Sequence, residues 1–264
     1  MSQVLIVTGG ASGIGAASAR LAAKQGYSVA INYRTKAAQA ESVVDELRSY
    51  GVRALAVQAD VRVPEQIDEL FRQVDRELGV PTALINSAGI ATAPTRVEDA
   101  DPAVLEQLLL TNVLGLMISC REGARRMSKL RGGKGGVIVN VSSMAATIGG
   151  RPGNSHYAAS KAAVDAFSVG FAKEVASAGI RVVAVRPGFT LTEMTEDRLQ
   201  DAAFMRVIAE TIPLGRPARV EEVAAPIVWL LSNEASFISG ACLDVSGGGF
   251  RIADLARDNA DRRP

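Results

Sequence analysis

The chain has 264 residues, 48% of them hydrophobic and 22% charged, with a formal net charge of +1. That apolar fraction excludes a disordered chain, and a charge near zero gives nucleic acid or an anionic membrane no electrostatic reason to bind. A single histidine, His156, excludes a His-rich metal site, and two cysteines, Cys120 and Cys242, are too few for a disulfide framework. Both thiols are expected as small buried hydrophobes of a reducing compartment. No apolar run is read as reaching the roughly 18–20 residues of a membrane span. Met1-Ser2-Gln3 leads straight into Val4-Leu5-Ile6-Val7 without a basic region, so no secretory signal and a cytoplasmic location are expected.

In chain order, short β-branched runs alternate with longer helical patterns. Strand Val4–Thr8 is followed by helix Ile14–Gln25, strand Ser28–Asn32 by helix Lys36–Tyr50, and strand Ala54–Gln58 by helix Pro64–Leu78. Strand Thr82–Asn86 then precedes a long helix Pro102–Lys129, and strand Gly136–Val141 precedes helix Ser155–Ala178. Strand Arg181–Arg186, helix Val220–Leu231 and strand Cys242–Val245 complete the series. Most strands are continuous apolar runs, as in a parallel sheet covered on both faces. Gly26, Gly51, Gly79 and Gly179 each follow a helical stretch, and Pro64 suits a first helical turn. The Gly-rich stretch 131–136 reads as a surface loop. The pattern predicts one α/β domain over residues 1–264, a Rossmann-type doubly wound parallel sheet of about seven strands.

The first turn, Thr8-Gly9-Gly10-Ala11-Ser12-Gly13-Ile14-Gly15, joins a strand to a helix. By itself it fits an ordinary glycine turn or a pyrophosphate cradle at a helix N-terminus. The second strand ends in Asn32-Tyr33-Arg34-Thr35, with no acid to hold a ribose 2′-hydroxyl and one guanidinium suited to a 2′-phosphate. NADP(H) is therefore favoured, with NAD(H) as the alternative. Further on, Tyr157 and Lys161 are four apart and share a helix face. A nearby ammonium is expected to lower the phenol pKa, enabling proton exchange with an alcohol or a developing alkoxide. Ser142-Ser143 closes the preceding strand, at the sheet edge where ligands bind.

With these motifs in order, the chain resembles the short-chain dehydrogenase/reductase family over nearly its whole length, most closely its 3-oxoacyl-carrier-protein-reductase-like and glucose-dehydrogenase-like members. The resemblance is carried by Thr8-Gly9-x-x-x-Gly13-Ile14-Gly15, Asp60-Val61, Asn86-Ser87-Ala88-Gly89, Asn112, Ser143, Tyr157-x-x-x-Lys161 and Pro187-Gly188-x-x-x-Thr192. It implies Asn112, Ser143, Tyr157 and Lys161 as catalytic, with hydride passing between a nicotinamide and a carbonyl or secondary alcohol. Asn112 would interrupt its helix and hold a water linked to the lysine. Ser143, rather than Ser142, would orient the substrate oxygen.

Cofactor contacts are implied for Gly9, Ser12, Gly13, Ile14, Gly15 and Arg34, and for Asp60 and Val61 at the adenine. Others are implied for Asn86, Ala88, Gly89, Tyr157, Lys161, Pro187, Gly188, Thr190 and Thr192. Ser12 stands where many NADP(H)-dependent members carry a basic residue, leaving Arg34 as the main phosphate reader. Ser246 replaces a common Asp in the last-strand motif. No metal is implied. His156 reads as a loop residue at the helix start, with a contact to substrate or Tyr157 as the alternative.

Residues 190–217 are expected as a substrate lid, with Leu191, Met194, Leu199, Phe204, Met205 and Ile208 making it apolar. Residues 250–264 are expected as a C-terminal tail. The partners expected are a small carbonyl or alcohol substrate and, by resemblance, further copies of the chain in a homotetramer. A sugar or alcohol dehydrogenase acting in the oxidising direction is the alternative, followed by a non-catalytic dinucleotide-binding regulator.

Overall fold

Seven strands form on the β-branched runs: β1 (Val4–Thr8), β2 (Ser28–Tyr33), β3 (Ala54–Gln58), β4 (Ala83–Asn86), β5 (Gly136–Val141), β6 (Ile180–Pro187) and β7 (Cys242–Val245). The computed structural model describes residues 3–195 and 201–249, so Leu199 and the tail 250–264 lie outside the described residues. All strand pairs are parallel, in the order β3-β2-β1-β4-β5-β6-β7. The order reverses between β1 and β4, where Thr8 lies opposite Asn86. At such a switch point the crossovers leave in opposite directions and open a crevice at the strands' C-terminal ends.

The crossovers carry α1 (Gly13–Lys24), α2 (Ala37–Ser49), α3 (Pro64–Glu77), α4 (Pro102–Leu109) and α5 (Leu116–Met127). They continue with α6 (Ala145–Ile148), α7 (Ser155–Val175), α8 (Ala202–Thr211) and α9 (Val220–Leu231). One sheet face is covered by apolar residues of α1, α2 and α9, including Ala19, Leu47 and Ile227. The other is covered by α3, α5 and α7, through Phe71, Cys120 and Val164. Both faces are therefore dry, which explains why the strands read as unbroken apolar runs.

The expected helix Pro102–Lys129 is not continuous. It is broken by a π-helical turn at Leu110–Gly115, and it stops at Met127, ahead of a 3₁₀ turn at Lys129–Arg131. Two contacts account for the break. The Asn112 amide is drawn to the backbone of Ile90, and Gly115 presses on Val61, whose carbonyl oxygen would lie 2.6 Å from any added Cβ. The 26-residue stretch Pro102–Met127 also contains a window of mean hydropathy 1.6, long and apolar enough by composition to cross a membrane, contrary to the sequence expectation. Here it packs on the sheet through Leu116, Cys120 and Met127 and carries a buried Glu122 paired with Arg126 at 2.7 Å.

Two helices escape the sequence reading. The four-residue α6 follows Ser143 directly. The segment expected as a lid contains α8, whose start was signalled by Asp201: its carboxylate accepts from the N–H groups of Ala203 and Phe204, both at 3.0 Å. α7 stops at Val175, three residues short of the expected end, and closes through a 3₁₀ turn on Gly179.

Candidate active site

At the head of the crevice the glycine turn is shaped by contacts that no side chain tolerates. A Cβ on Gly9, which has φ +66°, would sit 2.8 Å from the backbone of Ala88. One on Gly15 would sit 2.3 Å from the carbonyl oxygen of Gly9. Asn32, buried at the end of β2, holds the turn from below: its Oδ1 accepts from Gly9 N–H at 3.4 Å and its Nδ2 donates to Ala59 O at 2.8 Å. Sequence reasoning missed this role, although an amide ending an apolar strand signals a buried hydrogen-bonding demand.

Ser12 precedes α1 in an extended conformation, makes no capping bond, and no acid lies in the first turn. The positive end of α1 is thus left uncompensated by the chain, as an anion site requires. Thr192 lies beside this turn, its Cγ2 3.6 Å from where a Gly13 Cβ would be. Arg34 is exposed just beyond β2, and its guanidinium makes no hydrogen bond or ion pair among the described residues. Its charge helps hold the Asp60 carboxyl low, though the larger cause is Arg62, which grips that carboxylate through Nε and Nη2 at 3.0 and 2.5 Å. Nearby, Lys36 is ion-paired with Glu193, in the segment after β6.

β4 continues the crevice wall. Asn86 donates to Asn140 Oδ1 at 2.9 Å and to Cys120 Sγ at 3.2 Å, a buried polar link across β4, β5 and α5. Cys120 is therefore no plain hydrophobe, and burial pushes its thiol up to about 12. Cys242 is only half-buried. Ala88 N–H donates to Thr8 Oγ1 at 3.3 Å. Gly89 fits between two polar groups: a Cβ there would lie 3.3 Å from Asn112 Oδ1 and 3.4 Å from Lys161 Nζ.

The π turn aims Asn112 inward. Its Oδ1 accepts from Ile90 N–H at 2.8 Å, and its Nδ2 donates to Ile90 O at 2.9 Å and to Ser160 Oγ at 3.1 Å. Ser160 in turn donates to Tyr157 O at 2.7 Å. One buried amide thus ties the β4–α4 loop to the first turn of α7. His156 makes a second tie, its Nε2 lying 2.6 Å from Thr92 Oγ1, while its Nδ1 is buried without a hydrogen-bond partner among the described residues.

The two serines after β5 diverge. Ser142 is buried and donates to Lys161 O at 3.1 Å, whereas Ser143 Oγ accepts from Ala145 N–H at 3.2 Å and acts on the Tyr157 phenol, favouring its anion. Lys161 is 6% exposed; its Nζ donates to Val141 O at 2.9 Å and lies 5.9 Å from the Tyr157 ring centroid.

Here the electrostatics differ from expectation. The Tyr157 phenol is raised, because burial disfavours its anion more than Ser143 stabilises it. The ammonium, turned to a carbonyl, does not lower it. Lys161 is pushed down to about 8 by burial, against an opposing effect of Asp165. A lysine lowered from 10.5 makes folding less favourable at every pH below about 8, and the penalty fades as pH rises toward 10.5. Lys161→Met is expected to relieve about 3 kcal/mol, less what the lost Val141 bond contributed. Thermal melts should show Tm rising by about 3–6 °C at pH 7, with the gain shrinking by pH 10.

At the end of β6, Pro187 O accepts from Met144 N–H at 3.0 Å, and Gly188 packs against Ser246, whose Cα would lie 2.9 Å from an added Cβ. Thr190 is buried and donates to Gly188 O at 3.1 Å, folding the start of the segment after β6 onto the strand. Over it, Phe204 of α8 meets Phe189 edge-on at 5.6 Å and the Arg151 guanidinium at 5.7 Å. Ile208 is buried, so this apolar segment is at least partly packed onto the body.

Fold and site together define an oxidoreductase of the doubly wound, dinucleotide-binding class. Known proteins narrow this. The family model described as Enoyl-(Acyl carrier protein) reductase matches residues 9–249. The uncharacterized oxidoreductase YgfF of Escherichia coli is 41% identical over 245 residues, covering 93% of this chain and 99% of that protein. The 3-oxoacyl-[acyl-carrier-protein] reductase FabG of Staphylococcus aureus is 33% identical, covering 94% and 98%. A short chain dehydrogenase from Burkholderia cenocepacia, solved in complex with NADP, superposes with a TM-score of 0.86 at 32% identity, covering 94% and 97%. The chain belongs to the short-chain dehydrogenase/reductase family.

Proposed function

We propose that the chain reduces a carbonyl compound to a secondary alcohol with NADPH. The observation that carries this reading is the gathering of Ser143, the buried Tyr157 phenol and the buried Lys161 at the ligand edge of the sheet. A bound nicotinamide coenzyme supplies the hydride. Ser143 and Tyr157 present two hydroxyls to the carbonyl oxygen and orient it. Tyr157, neutral because burial raises its pKa, gives that oxygen its proton, which suits reduction better than oxidation at neutral pH. Lys161 holds positive charge beneath the phenol while its pKa of about 8 keeps it protonated at neutral pH. Asn112 fixes the first turn of α7 so that these groups keep their spacing.

The uncompensated start of α1 fits a pyrophosphate, and Arg34 fits a 2′-phosphate. A relative solved with NADP supports that coenzyme. Wild-type enzyme is expected to show higher kcat/KM with NADPH than with NADH. Arg34→Ala should erode the preference about 10- to 100-fold, mainly through coenzyme KM, as removing one charge-assisted phosphate contact does. A wild type that prefers NADH would overturn the coenzyme assignment. A screen of ketones, 3-oxoacyl thioesters and sugars, run in both directions, tests reaction and substrate class together.

A further inference from the structure

Behind the Tyr157–Lys161 face lies a charge that the mechanism above leaves unused. Asp165 is one turn beyond Lys161 on α7 and is 8% exposed. Its Oδ2 accepts from Arg186 Nε at 2.7 Å. Arg186 is the β6 residue directly before Pro187, and its Nη1 reaches Asp244 of β7 at 3.2 Å. The other Asp165 oxygen is buried with no hydrogen-bond partner among the described residues.

We propose that Asp165, anchored by Arg186, is a positioning residue for Lys161, and that the same ion pair locks the helix bearing Tyr157 and Lys161 to the strand end bearing Pro187 and Gly188. The inference rests on the reading of Lys161 given above.

The geometry favours this over a purely structural ion pair. Arg–carboxylate pairs frequently close through both oxygens. Instead Arg186 divides its donors between two carboxylates, and one Asp165 oxygen stays unmatched in the interior, at a cost in stability. A half-matched charge in a low-dielectric setting keeps a field that acts on its neighbours. On an α-helix the neighbour at i−4 lies about 5–6 Å away, Cβ to Cβ, and here that neighbour is Lys161.

Among the described residues, the groups recorded near the Lys161 ammonium are Tyr157 of α7, the Val141 carbonyl of β5 and, across Gly89, the Asn112 amide, while Arg186 of β6 and Cys242 of β7 act on Asp165, and Asp244 shares Arg186. Asp165 is the one charge that acts appreciably on Lys161, and it favours the ammonium. The ion pair also gives Arg186 a mechanical role, since any slip of α7 along β6 would stretch the 2.7 Å bond and shift Tyr157 against Pro187 and Gly188.

The test reads Lys161 directly. The chain has six lysines, so an isotope-labelled lysine NMR titration is tractable, with Lys161→Met assigning the resonance. In wild type Lys161 should titrate near pH 8. In Asp165→Asn its midpoint should fall by about half to one pH unit, and Asp165→Glu should recover part of the shift. The double variant Asp165→Asn/Arg186→Met removes both charges, so that neither is stranded. Its midpoint should stay low even where its Tm recovers.

An unchanged midpoint in Asp165→Asn would overturn the proposal. So would a wild-type midpoint in the double variant, since that would trace the shift to the stranded Arg186. The titration needs neither coenzyme nor turnover, so its failure is distinct from failure of the reductase reading. Where that reading holds, the alkaline fall of reductive kcat/KM in Asp165→Asn should move down by the same half to one pH unit, a shift that a merely structural ion pair would not produce.

Discussion

Tyr157→Phe should lower kcat/KM for carbonyl reduction by about a thousandfold, within the range that general acid–base groups supply. The Kd for NADPH, measured by fluorescence, should stay within about twofold of wild type. The substitution removes one hydroxyl and its interaction with Ser143, so Tm should move by only a few degrees. Loss of turnover without loss of binding or folding is what separates a proton donor from a structural phenol. Wild-type turnover in the variant would sink the mechanism. A pH profile adds an independent check. With the phenol raised and Lys161 near 8, reductive kcat/KM should be flat across neutral pH and fall as Lys161 loses its proton above about pH 8.

Gly15→Ala should reverse the sign that helix propensity alone predicts. Alanine inside a helix ordinarily stabilises it by about 1 kcal/mol over glycine. At Gly15 the new Cβ would lie 2.3 Å from the Gly9 carbonyl oxygen and 3.0 Å from its carbon. Both are backbone atoms, and Gly9 is itself pressed on Ala88, so the turn has to open to admit the methyl group. Forced overpacking costs about 1–3 kcal/mol, which for a chain of this size lowers Tm by roughly 3–10 °C. Because an opened turn no longer presents the start of α1 as one surface, NADPH affinity should fall at least about 100-fold. Calorimetry and a binding titration check the two effects together. An unchanged Tm with unchanged affinity would show that the turn has slack.

Much of the fold was legible because its signals are local. Each of the seven expected strands is present to within one or two residues at either end, since a strand covered on both faces must be apolar throughout. Gly26, Gly51, Gly79 and Gly179 end helices with positive φ, as their placement predicted. The helix Pro102–Lys129 failed because propensity cannot see a tertiary contact. Asn112 is drawn to Ile90, and a π turn absorbs the mismatch. Helix α8 escapes the sequence reading although its cap at Asp201 is readable there.

Local periodicity determined the parallel α/β architecture, the placement of the glycine turn between strand and helix, and the sharing of one helix face by Tyr157 and Lys161. These follow from side-chain repeats and glycine stereochemistry over a few residues, which a sequence displays directly. Tertiary structure alone decided that the phenol is raised while the lysine is lowered, and that Asp165 is buried against Arg186. Each of those depends on burial and on distances between groups brought together from separate elements, and such quantities exist only once the chain has packed.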